Sequence, residues 1–159
     1  MAIDGVTSCM KIREVNKNKK QFISLLLLAD EQESMVDRYL EKGTMYVLED
    51  NEGKAECVVT DEGNGILEIK NIAVDPENQG KGYGKALIDF LASKYADEYS
   101  VLQVGTGDSP LTIPFYEKNE LCIIHILSAN SICKMSLSKI QNFLFFESGD
   151  YVKTTRFFT

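Results

Sequence analysis

The sequence predicts a mixed α/β fold, and two adjoining patterns carry that prediction. Residues 66–74 (ILEIKNIAV) form the strongest strand pattern of the chain, and apolar residues then recur at helical spacing over residues 82–95. Residues 100–107 (SVLQVGTG) return to a strand pattern, so the second half of the chain contains a strand, a helix and a strand. Such a unit predicts two parallel neighbouring strands that are joined by a right-handed crossover through the helix.

The other elements follow in chain order. Residues 9–15 alternate as a first strand, and residues 20–30 and 33–43 carry the apolar spacing of two helices. Residues 44–65 predict a hairpin, because two β-rich runs are joined by an Asp-Asn-Glu-Gly turn. After the strand–helix–strand unit, residues 110–118 predict a short helix. Two further apolar runs predict a closing pair of strands, at 121–127 and 132–139.

Size and composition predict one domain, residues 1–159, with a core of its own. The chain has 159 residues, 44% of them hydrophobic, and a formal charge of -7. This acidic balance disfavours a nucleic-acid partner, because phosphate backbones repel it. The longest apolar run, Leu25 to Ala29, is far shorter than the roughly 20 residues of a membrane span, and residues 1–10 lack the basic and apolar regions of a signal peptide. We therefore expect a cytoplasmic protein without a membrane partner.

The cysteines and the histidine argue against a metal site. The 4 cysteines form no C-x-x-C pair, and His125 has no partner at a metal-ligand spacing. Without a secretory segment we expect reduced and mostly buried thiols. His125 lies among isoleucine and leucine residues, which favours a structural imidazole.

The stretch between the strongest strand and its helix, NQGKGYGK (residues 78–85), is rich in glycine. A helix that begins near Gly82 presents backbone N–H groups and about half a positive charge at its N-terminus, which favours an anion. Glycine permits positive φ and lets a phosphate approach without a Cβ in the way. Lys81 and Lys85 add positive charge. The alternative is that the glycines only form a turn and a close helix contact.

Two known phosphate-loop patterns do not fit this stretch. Walker A needs a glycine where Gln79 stands and a hydroxyl where Ala86 stands, and the dinucleotide pattern needs a glycine at Lys85. An NTPase or a dehydrogenase is therefore disfavoured. The stretch instead matches Q-x-x-G-x-G through Gln79, Gly82 and Gly84, and so resembles the signature of the GNAT superfamily, the acyl-CoA-dependent N-acyltransferases.

This resemblance covers residues 9–118 and implies both a fold and a cofactor. It implies a GNAT-like, mixed, mostly antiparallel central sheet with a parallel strand–helix–strand unit and helices on both faces. It also implies acetyl-CoA as cosubstrate, with the pyrophosphate bound by loop amides and without a metal. The residues that receive this cofactor-binding role are Gln79, Gly80, Lys81, Gly82, Tyr83, Gly84 and Lys85.

The acyl acceptor must lose a proton before it attacks. An alkyl ammonium with a pKa near 10.4 is almost entirely charged at pH 7, a deficit of about 4–5 kcal/mol, so a general base is useful. Glu68 resembles the general-base glutamate of some lysine-acetylating relatives, and the alternative is a strand residue ion-paired with Lys70. The resemblance further places backbone N–H groups of Ile72, Ala73 and Val74 at the thioester carbonyl, where a strand bulge frees an amide.

The short helix carries the second catalytic candidate. PFYEK, residues 114–118, resembles the family's helix whose tyrosine hydroxyl protonates the coenzyme A sulfur, which implies that role for Tyr116. A phenol with a pKa near 10 remains protonated at pH 7. The alternative is a tyrosine that packs in the core. Asp108 falls near the position where relatives carry an asparagine that contacts the cofactor arm.

The resemblance weakens after Lys118. Family members continue with a glycine and an aromatic residue, whereas this chain continues with Asn119-Glu120-Leu121. Residues 142–159 are rich in phenylalanine and match no familiar pattern. We expect this tail to pack on the domain or to form a homodimer contact.

Two functions from different classes remain open. The first is an N-acetyltransferase that transfers an acetyl group from acetyl-CoA to a primary amine of a small molecule or peptide by direct attack. The second is a non-catalytic acyl-CoA-binding sensor or degenerate paralogue. A third, weaker hypothesis is that the loop binds a different phosphorylated ligand. The acceptor is not identified by the sequence. Four acidic residues either attract a cation or form an exposed charged face: Asp30, Glu31, Glu33 and Asp37.

Overall fold

The computed structural model describes residues 10–50, 54–107, 112–118, 122–127 and 130–136. The strands are β1 Lys11–Val15, β2 Thr44–Glu49, β3 Lys54–Gly63, β4 Ile66–Val74, β5 Val101–Gly107, β6 Cys122–Leu127 and β7 Asn130–Ser136. The helices are α1 Ile23–Ala29, α2 Glu33–Val36, α3 Tyr83–Tyr95 and α4 Thr112–Lys118. Short 3₁₀ turns, Lys19–Phe22 and Pro76–Asn78, precede α1 and follow β4.

The strands are hydrogen-bonded in the order β1-β2-β3-β4-β5-β7-β6. β1 pairs with β2, β5 with β7 and β6 with β7 in antiparallel fashion. β4 and β5 are parallel neighbours, and α3 connects them. The predicted mixed, mostly antiparallel sheet with its parallel strand–helix–strand unit is therefore confirmed, and so is the closing strand pair.

The chain divides into two compact units. The first comprises Met1–Val58 and Asn71–Leu87, and the second comprises Val59–Lys70 and Ile88–Thr159. β3, β4 and α3 each begin in one unit and end in the other. A single domain over residues 1–159 therefore stays a prediction, as does the packing of the phenylalanine-rich tail, which lies outside the described residues.

The core of the first unit is an apolar cluster to which β1, β2, β3, α1 and α2 contribute. α1 buries Leu25 and Leu26 and exposes Leu27 and Leu28, so only one side of this leucine run enters the core. Burying each such side chain stabilises the fold by about 1.5–3 kcal/mol. The cluster consists of Val15, Phe22, Leu25, Leu26, Val36, Tyr39, Leu40, Met45, Val47 and Val58.

The second unit is organised by β4, α3 and β5. Burial alternates along β4, where Leu67 and Ile69 are buried and their neighbours are half-buried. On β5, Leu102 and Val104 are buried in the same way. The face of α3 that the sequence predicted to be apolar is buried in this unit at Ile88, Leu91 and Tyr95, and the part of α3 in the first unit buries Gly84 and Leu87.

Both helices between β1 and β2 are shorter than predicted. The first begins as a 3₁₀ turn, and the second is one α-turn followed by irregular turns through Lys42. The ammonium group of Lys19 donates to the carbonyl oxygens of Leu40 at 2.8 Å and Gly43 at 2.6 Å. This distant side chain satisfies acceptors of the irregular segment, so residues 37–42 do not need a regular helix.

Replacing Lys19 with methionine is expected to lower the free energy of unfolding by about 1–3 kcal/mol, because carbonyl groups would lose a charged donor. The loss is measured by urea unfolding. Lys17→Met is the matched control, since Lys17 is an exposed lysine just before the 3₁₀ turn that begins at Lys19. Equal stability of the two variants would show that the Lys19 contacts do not support the segment.

Three smaller expectations concern the cysteines, the histidine and the membrane. Cys57 on β3 is a free, fully buried thiol, and burial raises its pKa well above the ordinary value. His125 lies on β6, and its side chain is outside the described residues. Within the described ranges, no helix has the length and apolar content needed to cross a membrane.

Candidate functional site

An exposed loop, residues 79–82, connects the 3₁₀ turn after β4 to α3. Gly80 has φ 80 and Gly82 has φ 92, in the left-handed region that favours glycine. A Cβ at either glycine would meet no other heavy atom within 4 Å. The loop therefore passes beside open space that a side chain would fill, and this space suits an anion that approaches the backbone closely.

The helix after the loop begins at Tyr83, one residue later than predicted. The carbonyl of Gly82 accepts from the N–H of Ala86 at 2.9 Å, so Gly82 caps the helix. α3 has 13 residues, and the positive end of its dipole lies at the glycine loop. Tyr83 and Gly84 are buried, which makes Gly84 a packing position of the first helical turn. The exposed backbone before Tyr83 is the part of the motif that an anion can approach.

Several hydrogen bonds fasten the loop to the end of β4. The N–H of Asp75 donates to the Lys54 carbonyl at 3.0 Å, and the carboxylate of Asp75 accepts from the N–H of Glu77 at 3.2 Å. The side chain of Gln79 donates to the Val74 carbonyl at 3.3 Å. The Gln79 bond thus holds the start of the loop at the end of β4, which reduces the entropy lost when the loop binds a ligand.

Two polar residues that were absent from the sequence-based predictions also support this loop. Buried Asn78 accepts a hydrogen bond from the ammonium group of Lys81 at 2.9 Å, which keeps that positive charge beside the loop. Asp50 accepts a hydrogen bond from the Tyr83 hydroxyl at the start of α3. Asn78 adjoins the loop in sequence, and this position is a signal from which its contact with the loop could have been predicted. Asp50 lies 33 residues from Tyr83, and no local pattern connects the two.

The last part of β4 extends beyond its parallel ladder with β5. The parallel register joins Ile66–Ile69 to Val101–Val104, and β4 then continues to Val74. Ile72, Ala73 and Val74 therefore lie outside this ladder. The sequence predicted a free amide here through a bulge; the structure shows that the parallel ladder ends before these residues, and the free amide stays a prediction. Their role at a thioester carbonyl stays a prediction.

Glu68 lies on β4 with its side chain 19% exposed. One carboxylate oxygen accepts from the Lys70 ammonium at 2.7 Å, and the other accepts from the Gln103 amide. Lys70 also pairs with Glu62 at 3.0 Å. Burial acts to lower the pKa of Lys70, but its hydrogen bonds to the two carboxylates outweigh burial and raise that pKa. The ion pair that the sequence left open is present, and the general-base role stays a prediction.

Two predicted site residues remain, Tyr116 and Asp108. Tyr116 lies on this helix, as the sequence predicted, but its side chain is outside the described residues. Asp108 is also outside the described residues. The general-acid role and the contact with the cofactor arm therefore stay predictions. In the part of the chain that the structure describes, no three His, Cys, Asp or Glu side chains group closely enough to hold a metal ion.

Sequence comparison identifies relatives along most of the described fold. A family model described as Acetyltransferase (GNAT) domain matches residues 41–120, which is half of the chain and includes the glycine loop. The chain is also 31% identical over 112 residues to YvbK of Bacillus subtilis (strain 168), an uncharacterized N-acetyltransferase. That alignment covers 69% of this chain and 72% of YvbK.

Two solved structures share the fold. The IAA acetyltransferase from Bacillus cereus superposes with a TM-score of 0.71 at 27% identity, over 80% of this chain and 99% of that chain. A GNAT family acetyltransferase from Elizabethkingia anophelis, solved with acetyl-CoA bound, gives a TM-score of 0.71 at 24% identity. This second superposition covers 80% of this chain and 97% of the other, and it supports the fold alone.

Proposed function

The chain belongs to the GNAT acetyltransferase family, and on that premise we propose that it is an N-acetyltransferase. It transfers the acetyl group of acetyl-CoA to a primary amine of a small molecule or peptide by direct attack. The observation that carries the proposal is the exposed loop of residues 79–82, with positive φ at Gly80 and Gly82 and open space beside both.

The loop fits a diphosphate because its backbone supplies the attraction. An acidic chain of charge -7 repels a polyanion such as coenzyme A over most of its surface. At the loop, the positive end of the α3 dipole and the ammonium group of Lys81 make the local electrostatic potential favourable for an anion. Backbone N–H groups between Gln79 and Lys85 then hold the diphosphate without a divalent cation.

Acetyl transfer requires three further roles: stabilising the thioester carbonyl, deprotonating the amine and protonating the departing thiolate. Acetyl-CoA supplies an activated thioester, and a backbone N–H of Ile72, Ala73 or Val74 donates to its carbonyl oxygen. Glu68 removes a proton from the acceptor ammonium, so that the amine nitrogen forms the new bond to the carbonyl carbon. The bond from that carbon to sulfur breaks, and the hydroxyl of Tyr116 gives its proton to the departing thiolate.

Replacing Glu68 with glutamine is expected to lower kcat/KM for the amine about 100-fold at pH 7. The loss should shrink at pH 9, because the neutral fraction of an amine with a pKa near 10.4 rises about 100-fold over that interval. Initial rates at both pH values measure the effect. Glu62→Gln is the matched control, since Glu62 also pairs with Lys70. Equal losses in the two variants would indicate that Lys70 needs both partners and that Glu68 is not the base.

Thiol release tests the proposed function directly. The purified chain is incubated with acetyl-CoA and a panel of primary amines, and free coenzyme A is followed with a thiol reagent. We expect release that depends on both the amine and the enzyme. Binding of coenzyme A without release across the panel would favour the non-catalytic sensor instead, and failure to bind coenzyme A would contradict both functions.

A further inference from the structure

A cluster of buried polar side chains lies inside the first unit, and none of the roles above uses it. Glu56 on β3 is 0% exposed, and Asn71 on β4 is 2% exposed. Tyr39 is buried, and Asp30 is half-buried at the end of α1. We call these four residues the buried acidic cluster.

The hydrogen bonds of the cluster converge on Asp30. The Tyr39 hydroxyl donates to the Asp30 carboxylate at 2.5 Å. The amide nitrogen of Asn71 donates to the Leu26 carbonyl at 2.9 Å, and it lies 2.7 Å from the Tyr39 oxygen and 3.2 Å from the Asp30 carboxylate. The donors of Tyr39 and Asn71 are therefore engaged, and none of them serves Glu56.

Three acceptor atoms of the cluster have no hydrogen-bond partner among the described residues. They are both carboxylate oxygens of Glu56 and the side-chain oxygen of Asn71. Buried polar atoms are almost always paired, so three such acceptors in one cluster point to a ligand that donates hydrogen bonds. Burial, together with the negative charge of Asp30, raises the pKa of Glu56 well above its ordinary value. Without a cation, its surroundings therefore favour the neutral form of this carboxyl group.

Among the described titratable groups around Glu56, the charge of Asp30 disfavours a second negative charge, and the other two groups are neutral. Asp30 faces it from the end of α1, and Tyr39 faces it from the segment after α2. Burial raises the pKa of Tyr39 first, and its hydrogen bond to Asp30 raises it further, so this phenol stays neutral. Cys57, the neighbour on β3, is likewise a neutral buried thiol. A bound cation is the feature that would permit Glu56 to ionise.

An alkylammonium group matches these acceptors in number and in sign. It carries three N–H donors and one positive charge, and it accepts no hydrogen bonds. We propose that Glu56 and Asn71 form a binding site for an alkylammonium group. Binding releases the proton of the Glu56 carboxyl group to solvent as the ion pair forms.

Calorimetric titration without acetyl-CoA tests the site, with n-butylammonium chloride as the probe and tetramethylammonium chloride as the matched cation that lacks N–H donors. We expect n-butylammonium to bind and, at any pH where Glu56 is protonated in the free chain, to release a proton, seen as a heat that depends on the ionisation enthalpy of the buffer. Its affinity should rise about tenfold per pH unit below the pKa of Glu56. Tetramethylammonium should bind at least about tenfold more weakly. Equal binding of the two cations, or no binding of n-butylammonium, would overturn the proposal.

The Glu56→Gln variant tests whether Glu56 is the source of the released proton. The amide keeps the shape of the neutral carboxyl group, and we expect this variant to fold, to release no proton and to bind n-butylammonium at least about tenfold more weakly. Glu14→Gln, at an exposed position of β1, should behave as the parent chain does. Unchanged proton release in Glu56→Gln would contradict the assignment. If Glu56→Gln does not fold, the proposal is tested on the parent chain alone, by the number of protons released and by the comparison with tetramethylammonium.

The two proposals fail in different experiments. A chain that releases coenzyme A from acetyl-CoA but binds no n-butylammonium would keep its proposed function and lose this site. A chain that binds n-butylammonium with proton release but has no affinity for coenzyme A would keep the site and lose the function.

Discussion

Replacing Tyr116 with phenylalanine is expected to lower kcat about 100- to 1000-fold. The phenylalanine ring keeps the shape of the side chain and removes only the hydroxyl that protonates the departing thiolate. Coenzyme A affinity should therefore remain unchanged. Steady-state kinetics and a coenzyme A titration on the same preparation measure the two quantities separately.

Tyr99→Phe is the control for this substitution, because Tyr99 is a half-buried tyrosine outside the residues given a catalytic role. It should retain the turnover of the parent chain. Full turnover of Tyr116→Phe would remove the proposed general acid. A variant that loses stability along with turnover would instead favour the alternative that Tyr116 packs in the core.

Replacing Gly82 with alanine is expected to lower coenzyme A affinity about tenfold or more. The φ of 92 at Gly82 disfavours an L side chain, and the added Cβ would project into the open space assigned to the diphosphate. The strain itself costs about 1–2 kcal/mol of stability. Calorimetry measures the affinity, and urea unfolding measures the stability.

The chain supplies a closely matched control for this change. Gly63, the last residue of β3, has φ 80, and a Cβ there would also meet nothing within 4 Å. Gly63→Ala should therefore lose similar stability and keep its coenzyme A affinity. An equal loss of affinity in both variants would attribute the effect to general strain and would contradict a diphosphate site at the loop.

Local sequence patterns predicted the elements that position the loop. β4 spans Ile66–Val74 as predicted, because its β-rich run of residues is bounded by a glycine-rich turn before it and by Pro76 after it. α3 begins within one residue of the prediction, because Gly82 ends the loop and caps the helix. In both cases the residues that define the element are its neighbours in sequence.

Features that depend on distant residues could not be predicted in this way. The turns after α2 are shaped by Lys19, more than twenty residues away from Leu40. The four acidic residues near α1 and α2 looked alike in sequence, yet the structure separates them. Asp30 is bonded to Tyr39 and Asn71, whereas the other three are exposed.

Burial of Glu56 is the clearest case of this limit. A glutamate in a strand ordinarily faces solvent, and nothing in the local pattern distinguishes Glu56 from such a residue. Its burial follows from α1 and the segment after α2, which supply Asp30 and Tyr39 to the same cluster. Only the tertiary structure brings these groups together.

Calorimetric titration of coenzyme A and of pantetheine, each with and without EDTA, tests the central claim most directly. If the backbone of residues 79–85 holds a diphosphate without a divalent ion, coenzyme A will bind equally well in EDTA. Pantetheine, which lacks the diphosphate and the nucleotide, will bind about 100-fold more weakly or worse. Equal affinity for the two compounds, or loss of coenzyme A binding in EDTA, would contradict the account.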